Sequence, residues 1–160
     1  MTGIGVVISA PPPYTYSAGA PLYGFFNPTS MDMTPDILIS TWITDRIALE
    51  PSVGFFSSSN ITAWRFGLTY INHFGHGQFL PFALVRAKTY LTPTLGRDFN
   101  HYSLALGGGA EYFVGDKFSI SGECQLNYFV PLLVQSSDFT DTKVNITYTG
   151  VAISGRFYLN

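Results

Sequence analysis

The sequence predicts an all-β fold in which residues 1–160 form one domain, an eight-stranded antiparallel up-and-down transmembrane β-barrel. Charged residues make up only 11% of the chain, against about 25% in an ordinary soluble domain. Aromatic residues reach 16%. No run of about 18 consecutive apolar residues is present, which excludes a transmembrane helix. Apolar residues spread over alternating strands account for all three observations, because one strand face then meets lipid and the other a polar interior.

The clearest alternation runs through residues 118–130, where apolar and polar side chains take turns. Leu126 and Tyr128 share the apolar face, and Glu123 lies on the polar one. Residues 101–114 repeat the pattern, and the Gly-Asp-Lys sequence between the two segments is typical of a tight hairpin turn. Segments of this length exceed the usual strand of about 5–6 residues and suit a tilted membrane strand of about 9–11.

Six further segments show the same alternation. The eight predicted strands are residues 2–9, 36–44, 46–56, 61–72, 79–91, 101–114, 118–130 and 143–159. In the last strand the apolar face changes sides near Thr149 and Gly150, which predicts a β-bulge. Pro51 lies inside the third strand and removes a ladder hydrogen bond, so it indicates either a bulge or a break in that strand.

The connections between the predicted strands fall into two groups by length. Short turns are expected at residues 44–46, 73–77 and 115–117, and long loops at residues 10–35, 91–100 and 131–142, with residues 57–60 as a short exception. Short periplasmic turns opposite longer extracellular loops are typical of outer-membrane barrels. Both ends of the sequence then lie on the short-turn side.

Charged residues at inward strand positions predict an ion-pair network inside the barrel. An eight-stranded barrel is just wide enough for side chains to fill it, and an isolated buried charge costs several kcal/mol. The charges are therefore expected to pair, leaving no wide pore; a gated proton or ion path is the alternative. All seven aspartates are expected in or beside turns and loops. The predicted network is Glu50, Arg65, Arg86, Lys88, Glu111, Glu123 and Arg156.

Aromatic residues cluster near the ends of the predicted strands, whereas the outward centres are aliphatic or small. This distribution predicts two aromatic girdles at the lipid–water interfaces, rather than the aromatic core of a soluble barrel. The predicted lipid-facing and girdle residues include Trp64, Tyr70, Tyr112, Tyr128 and Phe157.

The segment at residues 104–128 resembles the small outer-membrane β-barrel superfamily, which includes the OmpA transmembrane domain, OmpX and OmpW. A Gly-Gly-Gly-Ala-Glu-Tyr run, the Gly-Asp-Lys turn and the inward Glu123 carry the resemblance, and residues 155–160 are similar to the family's last strand. The resemblance implies a bacterial outer-membrane protein in contact with lipid and lipopolysaccharide. Residues 1–10 have no basic region and too short an apolar stretch for a signal peptide, so we interpret the sequence as a mature form. Asn160 stands where the family often has an aromatic residue that serves assembly, so Phe157 or Tyr158 would take that role.

The main functional interpretation is a structural or interaction protein, not an enzyme. Its long loops, residues 10–35, 91–100 and 131–142, are expected to bind another outer-membrane or extracellular protein. A narrow pore and a soluble lipocalin-like barrel are alternatives, and in a lipocalin-like barrel Leu126 and Tyr128 would point into the lumen. No cofactor is expected, and a net charge of −2 argues against a nucleic-acid partner.

His101, Ser103 and Glu111 offer an enzymatic alternative. The His-x-Ser pair with a downstream Glu resembles lipid A deacylases, which implies a lipid A or phospholipid hydrolase. Ser103 would be the nucleophile, His101 its base and Glu111 the group that orients the base. Leu104 departs from the family's Asn, and the alternation turns all three side chains inward, whereas a lipid substrate lies outside.

The remaining histidines and the cysteine predict no further site. His73 and His76 flank a glycine-containing turn without additional ligands nearby, so we expect turn histidines and no metal site. Cys124 is the only cysteine, which excludes an internal disulfide.

Overall fold

The computed structural model describes residues 1–10, 35–57, 62–94, 97–130 and 146–159, without the side chains of residues 9, 10, 92–94, 97–101, 130 and 146. Each strand pairs antiparallel with the next, and the last pairs with the first, which closes the barrel. The prediction of an all-β, eight-stranded antiparallel barrel is confirmed. The strands are β1 (Thr2–Ala10), β2 (Asp36–Trp42), β3 (Ile47–Ser57), β4 (Thr62–His73), β5 (Phe79–Thr94), β6 (Arg97–Phe113), β7 (Phe118–Val130) and β8 (Ile146–Leu159).

Side chains alternate strictly between the inside and the outside of the barrel. In β2, for example, Asp36, Leu38 and Ser40 are buried, whereas Ile37 and Ile39 are exposed. This follows from the two-residue period of a β-strand, which sends successive side chains to opposite faces. The described part of the chain contains no helix long and apolar enough to cross a membrane.

Three short turns join the strands at one rim of the barrel. They comprise residues 43–46, 74–78 and 114–117, and we call their end of the barrel the short-turn rim. Gly115 has a φ of 80°, a left-handed conformation that favours glycine and permits the tight turn between β6 and β7. The loops predicted at residues 10–35 and 131–142 lie almost wholly outside the described residues.

The loop predicted at residues 91–100 is wrong. β5 continues to Thr94 and β6 begins at Arg97, with Pro93 opposite Asp98 in the pairing, so only residues 95–96 separate the strands. Proline, glycine and aspartate in this segment suggested a loop. Pairing between neighbouring strands outweighs such local preferences, because β-propensity depends strongly on context.

The bulge predicted near Thr149 and Gly150 is also wrong. β7 and β8 pair without a change of register, with Leu126 opposite Thr149 and Gln125 opposite Gly150. Tyr148 is half-buried and packs against Phe129 inside the barrel. The outward face of β8 therefore stays the same along the strand, and Tyr148 is an aromatic residue that faces the interior.

Pro51 causes neither a bulge nor a break. Towards β4 the pairing is continuous, with Pro51 opposite Leu68. Towards β2 the ladder lacks pairs at Ile39 and Ser40, but its register is the same on both sides of the gap. β3 therefore accommodates the missing N–H of Pro51 as a local gap in its ladder with β2.

Candidate functional site

Four acidic and four basic side chains are buried inside the described part of the barrel. They include all seven residues of the predicted network, together with Asp36. Arg156 and Glu50 form a two-point pair, with Nε donating to Oε1 at 2.6 Å and Nη2 donating to Oε2 at 3.0 Å. Arg156 Nη1 donates to Ser121 Oγ at 2.8 Å. This geometry fixes the planar guanidinium across the lumen, because two parallel hydrogen bonds hold both its position and its orientation.

Arg86 forms a second paired group near the middle of the barrel. Its Nη1 and Nη2 donate to the two carboxylate oxygens of Glu123, at 2.7 and 3.2 Å. Its Nε donates to Thr69 Oγ1 at 2.8 Å, and Nη1 also donates to Gln125 at 3.2 Å. A buried guanidinium needs such additional acceptors, because the salt bridge alone does not replace its lost hydration.

Asp36 supplies the carboxylate of a third group, nearer the opposite rim. Its Oδ1 lies 2.5 Å from Arg65 Nη2, and its Oδ2 lies 3.2 Å from Lys88 Nζ. Asp36 lies beside a predicted loop, as expected, but its side chain joins the ion-pair network, to which the sequence-based prediction did not assign it. Asp36 is the first residue of β2, and its alternation with Leu38 and Ser40 is the signal that could have placed it inside.

Glu111 is held by four side chains near the short-turn rim. Ser119 and Tyr158 donate to its Oε1 at 2.5 and 2.8 Å, and Arg156 Nη1 lies 3.5 Å from the same atom. His73 Nε2 lies 2.9 Å from its Oε2. The expectation that His73 is a turn histidine is wrong, because its side chain is buried at the end of β4. His76, in contrast, is exposed in the turn.

Aromatic residues lie on both sides of the charged groups inside the barrel. Towards the rim opposite the short turns, Tyr90 and Phe129 have ring centroids 5.2 Å apart, and Phe56 and Tyr148 pack against their cluster. Towards the short-turn rim, Trp42 stacks on His73 at 4.4 Å. At the same end, Phe113 stacks on Tyr158 at 5.5 Å. The described interior is thus layered, with ion pairs between two aromatic clusters.

The exterior of the barrel is apolar along most of its height. Leu126 and Tyr128 point outward, with 51% and 40% of their surface exposed, which is opposite to the direction that a lipocalin-like barrel requires. The five predicted girdle residues are also exposed on the outside. Tyr70, Tyr112 and Phe157 lie towards the short-turn rim, and Trp64 and Tyr128 towards the opposite rim.

The residues of the hydrolase alternative do not form a triad. Ser103 and Glu111 are both buried inside the barrel on the same strand, β6. Eight residues of β-strand separate them by about 26 Å, whereas a triad requires hydrogen bonds between its members. The side chain of His101 is outside the described set, but its place on β6 is still farther from Glu111. Glu111 instead binds His73, Ser119 and Tyr158.

The described residues offer no other candidate site of the kinds considered from sequence. No group of three or more His, Cys, Asp or Glu among them could hold a metal ion. Cys124 is a free cysteine on the exposed face of β7.

Solved structures with a similar architecture include the N-terminal β-barrel domain of OprF from Pseudomonas aeruginosa. It superimposes with a TM-score of 0.56 at 12% identity, covering 98% of this chain and 96% of that one. Neisserial surface protein A gives a TM-score of 0.53 at 12% identity, covering 98% of this chain and 93% of the other. No protein-family model and no curated protein matches the chain in sequence. The prediction that the chain folds like the small eight-stranded outer-membrane barrels is confirmed.

Proposed function

We propose that the chain spans a bacterial outer membrane as a small barrel with a filled lumen, and that it serves as a structural or interaction component rather than as an enzyme. The observation that carries the proposal is the polarity of the two barrel faces. Large apolar residues are exposed on the outside of every strand, whereas charged side chains are buried inside. A soluble barrel has the opposite arrangement, because its core must exclude water.

The height of the apolar exterior supports an outer-membrane location. On β6, the exposed Tyr102 and Tyr112 lie ten residues apart, which is about 33 Å along the strand. At the usual strand tilt of about 40°, this corresponds to about 25 Å across the membrane, the height of the apolar band of outer-membrane barrels. Exposed Phe118 and Tyr128 on β7 have the same spacing. The surrounding partner is then outer-membrane lipid, including lipopolysaccharide.

The pairing of the interior charges supports the proposal of a filled lumen. Arg156 with Glu50 and Arg86 with Glu123 reach across from different strands, so their guanidinium groups occupy the cross-section. The aromatic clusters above and below these pairs fill the interior further. The proposed barrel therefore carries no steady ion path. The binding surface for another outer-membrane or extracellular protein is then residues 10–35 and 131–142, together with the tip of the β5–β6 hairpin.

Refolding and conductance measurements test this proposal. We expect the urea-unfolded chain to fold when phosphatidylcholine vesicles or detergent micelles are added, and not in plain buffer. The folded protein should migrate faster on a gel before boiling than after it. In planar bilayers the wild type should show no steady conductance. A variant with Arg86→Ala and Glu123→Ala, which removes both members of one pair, provides the comparison with an emptied lumen.

Two outcomes would contradict the proposal. A chain that folds in plain buffer without lipid or detergent does not need the membrane, which removes the central claim. Steady wild-type conductance at the level of the Arg86→Ala, Glu123→Ala variant would show that the ion pairs leave a path open, and the filled lumen would be abandoned.

A further inference from the structure

A cavity of 480 Å³ opens at the short-turn rim, at the end of the barrel opposite the proposed binding loops. This volume lies within the range of about 300–1,000 Å³ that is usual for sites that bind small molecules. Its walls combine apolar, aromatic and polar residues. Its lining includes Trp42, Ile43, Thr44, Asp45 and Phe113.

Two aromatic rings of the wall are held in place from behind. Trp42 stacks on His73 with ring centroids 4.4 Å apart and an interplanar angle of 14°. Phe113 stacks on Tyr158 at 5.5 Å and 23°. The centroids of Trp42 and Phe113 lie 6.4 Å apart, so the two rings form adjoining parts of one aromatic wall. A ligand meets these rings in a fixed arrangement, which reduces the entropy lost on binding.

The turn that carries Asp45 is also fixed by hydrogen bonds. Thr44 Oγ1 accepts hydrogen bonds from the backbone N–H groups of Arg46 and Ile47, at 3.2 and 3.0 Å. The N–H of Ile43 donates to the carbonyl oxygen of Ile47 at 2.8 Å. Asp45 is the only charged side chain among the described lining residues, which combine aromatic rings with one carboxylate.

Behind the aromatic wall, two carboxylates lie close to one guanidinium and one imidazole, that of His73. Glu50 and Glu111 both lie in the part of the barrel close to the short-turn rim, and they share the guanidinium of Arg156. Fixed charges inside a barrel of low dielectric constant add to the potential at its mouth and favour ligands of the opposite sign.

From these features we infer that the short-turn mouth binds a small organic cation, an alkylammonium ion. Aromatic faces attract such cations through the ring quadrupole, and a carboxylate beside the rings supplies an opposite charge. In this site the cation lies against Trp42 and Phe113, with its charge directed towards the carboxylate of Asp45. The site is separate from the loops at the other rim, so it does not depend on what those loops bind.

Tryptophan fluorescence measures binding at this site directly. The chain contains two tryptophans, so Trp64→Phe leaves Trp42 as the only reporter. The folded variant, in neutral detergent, is titrated with tetramethylammonium chloride, and tert-butanol serves as the neutral probe of similar shape. We expect a saturable change in Trp42 emission with tetramethylammonium, and none with tert-butanol or with an equal concentration of sodium chloride.

Two substitutions distinguish binding in the cavity from general attraction of a cation to acidic residues at the rim. Asp45→Asn should raise the dissociation constant for tetramethylammonium about tenfold or more, as expected for loss of a direct contact with a charged group. Asp116→Asn removes an acid from another turn at the same rim that does not line the cavity, and it should leave the constant unchanged. Both variants are first shown to be folded by their gel migration before boiling.

The inference is overturned by any of three results. They are the absence of a saturable emission change with tetramethylammonium, an equal change with tert-butanol, and equal weakening in the Asp45→Asn and Asp116→Asn variants. None of these results bears on the proposal of a membrane-spanning barrel, which refolding and conductance measurements test separately.

Discussion

At the scale of single residues, the interior depends on small residues placed beside large charged ones. Asp36, Gly54 and Arg65 lie side by side on three adjacent strands, and the ion pair between Asp36 and Arg65 passes over the glycine. A Cβ atom on Gly54 would overlap the Asp36 carboxylate and the Arg65 guanidinium. Glycine at this position therefore permits the ion pair for steric reasons, since a side chain there would separate its members.

We predict that Gly54→Ala destabilises the folded barrel by about 1–3 kcal/mol, the usual cost of overpacking a filled interior. Urea unfolding in lipid vesicles, followed by fluorescence, gives the free energy. Gly122→Ala is the matched control, because a Cβ at Gly122 meets no atom within 4 Å. Its effect should be within about 0.5 kcal/mol. Equal losses in the two variants would mean that the contact over Gly54 is not the cause.

The alternation of the sequence placed seven charged residues inside the barrel, and the structure buries all seven side chains. It did not place Asp36 or His73, because both lie at strand ends. Near a strand end, the preference for turns of aspartate, and of the Gly75 that follows two residues after His73, competes with the period-two pattern. The partners of each charge were not predictable either, since they depend on which strands face each other across the lumen. Arg156 and Glu50, for example, are 106 residues apart in sequence.

At the scale of strands, the number of elements and their faces followed from the sequence, whereas their ends at the rim opposite the short turns did not. The two-residue period persists through β5 and β6 and reports which face is buried. β5 extends to Thr94 and β6 begins at Arg97 because these ends of the two strands pair with each other. The same limit explains the wrong bulge in β8, where Tyr148 faces an aromatic cluster inside. An aromatic residue suits either face of a small barrel, so its type does not reveal its direction.

The outward face of β6 provides a depth-dependent prediction. Leu106 is 62% exposed and lies between Tyr102 and Tyr112, two exposed tyrosines of the same strand. Leu106→Arg should cost about 2–4 kcal/mol in lipid vesicles, because it places a charge near the bilayer midplane. Val114→Arg, at the short-turn rim where Val114 is 51% exposed, should cost only about 0–1 kcal/mol.

Unfolding in vesicles of both variants gives the comparison. If the exterior faced water, the two arginines would be equally harmless, and Leu106→Arg would leave stability unchanged. A loss that is equally large at both positions would show that the effect does not depend on depth. Either outcome would contradict the assignment of this face to lipid.

At the scale of the whole molecule, the barrel has its charged side chains inside and an apolar surface outside. The two tryptophans lie on opposite sides of the wall. Trp42 is inside, stacked on His73, and Trp64 is 46% exposed on the outside of β4. Single-tryptophan variants, Trp42→Phe and Trp64→Phe, therefore report separately on the exterior and the interior of one folded protein.

The most direct measurement is quenching of these two tryptophans by lipids brominated on their acyl chains, with each variant folded into vesicles. Because bromine quenches on close approach, the account predicts strong quenching of Trp64, in the Trp42→Phe variant. It predicts little quenching of Trp42, in the Trp64→Phe variant. Equal quenching of the two residues, or stronger quenching of Trp42, would contradict a lipid-facing exterior around a closed interior.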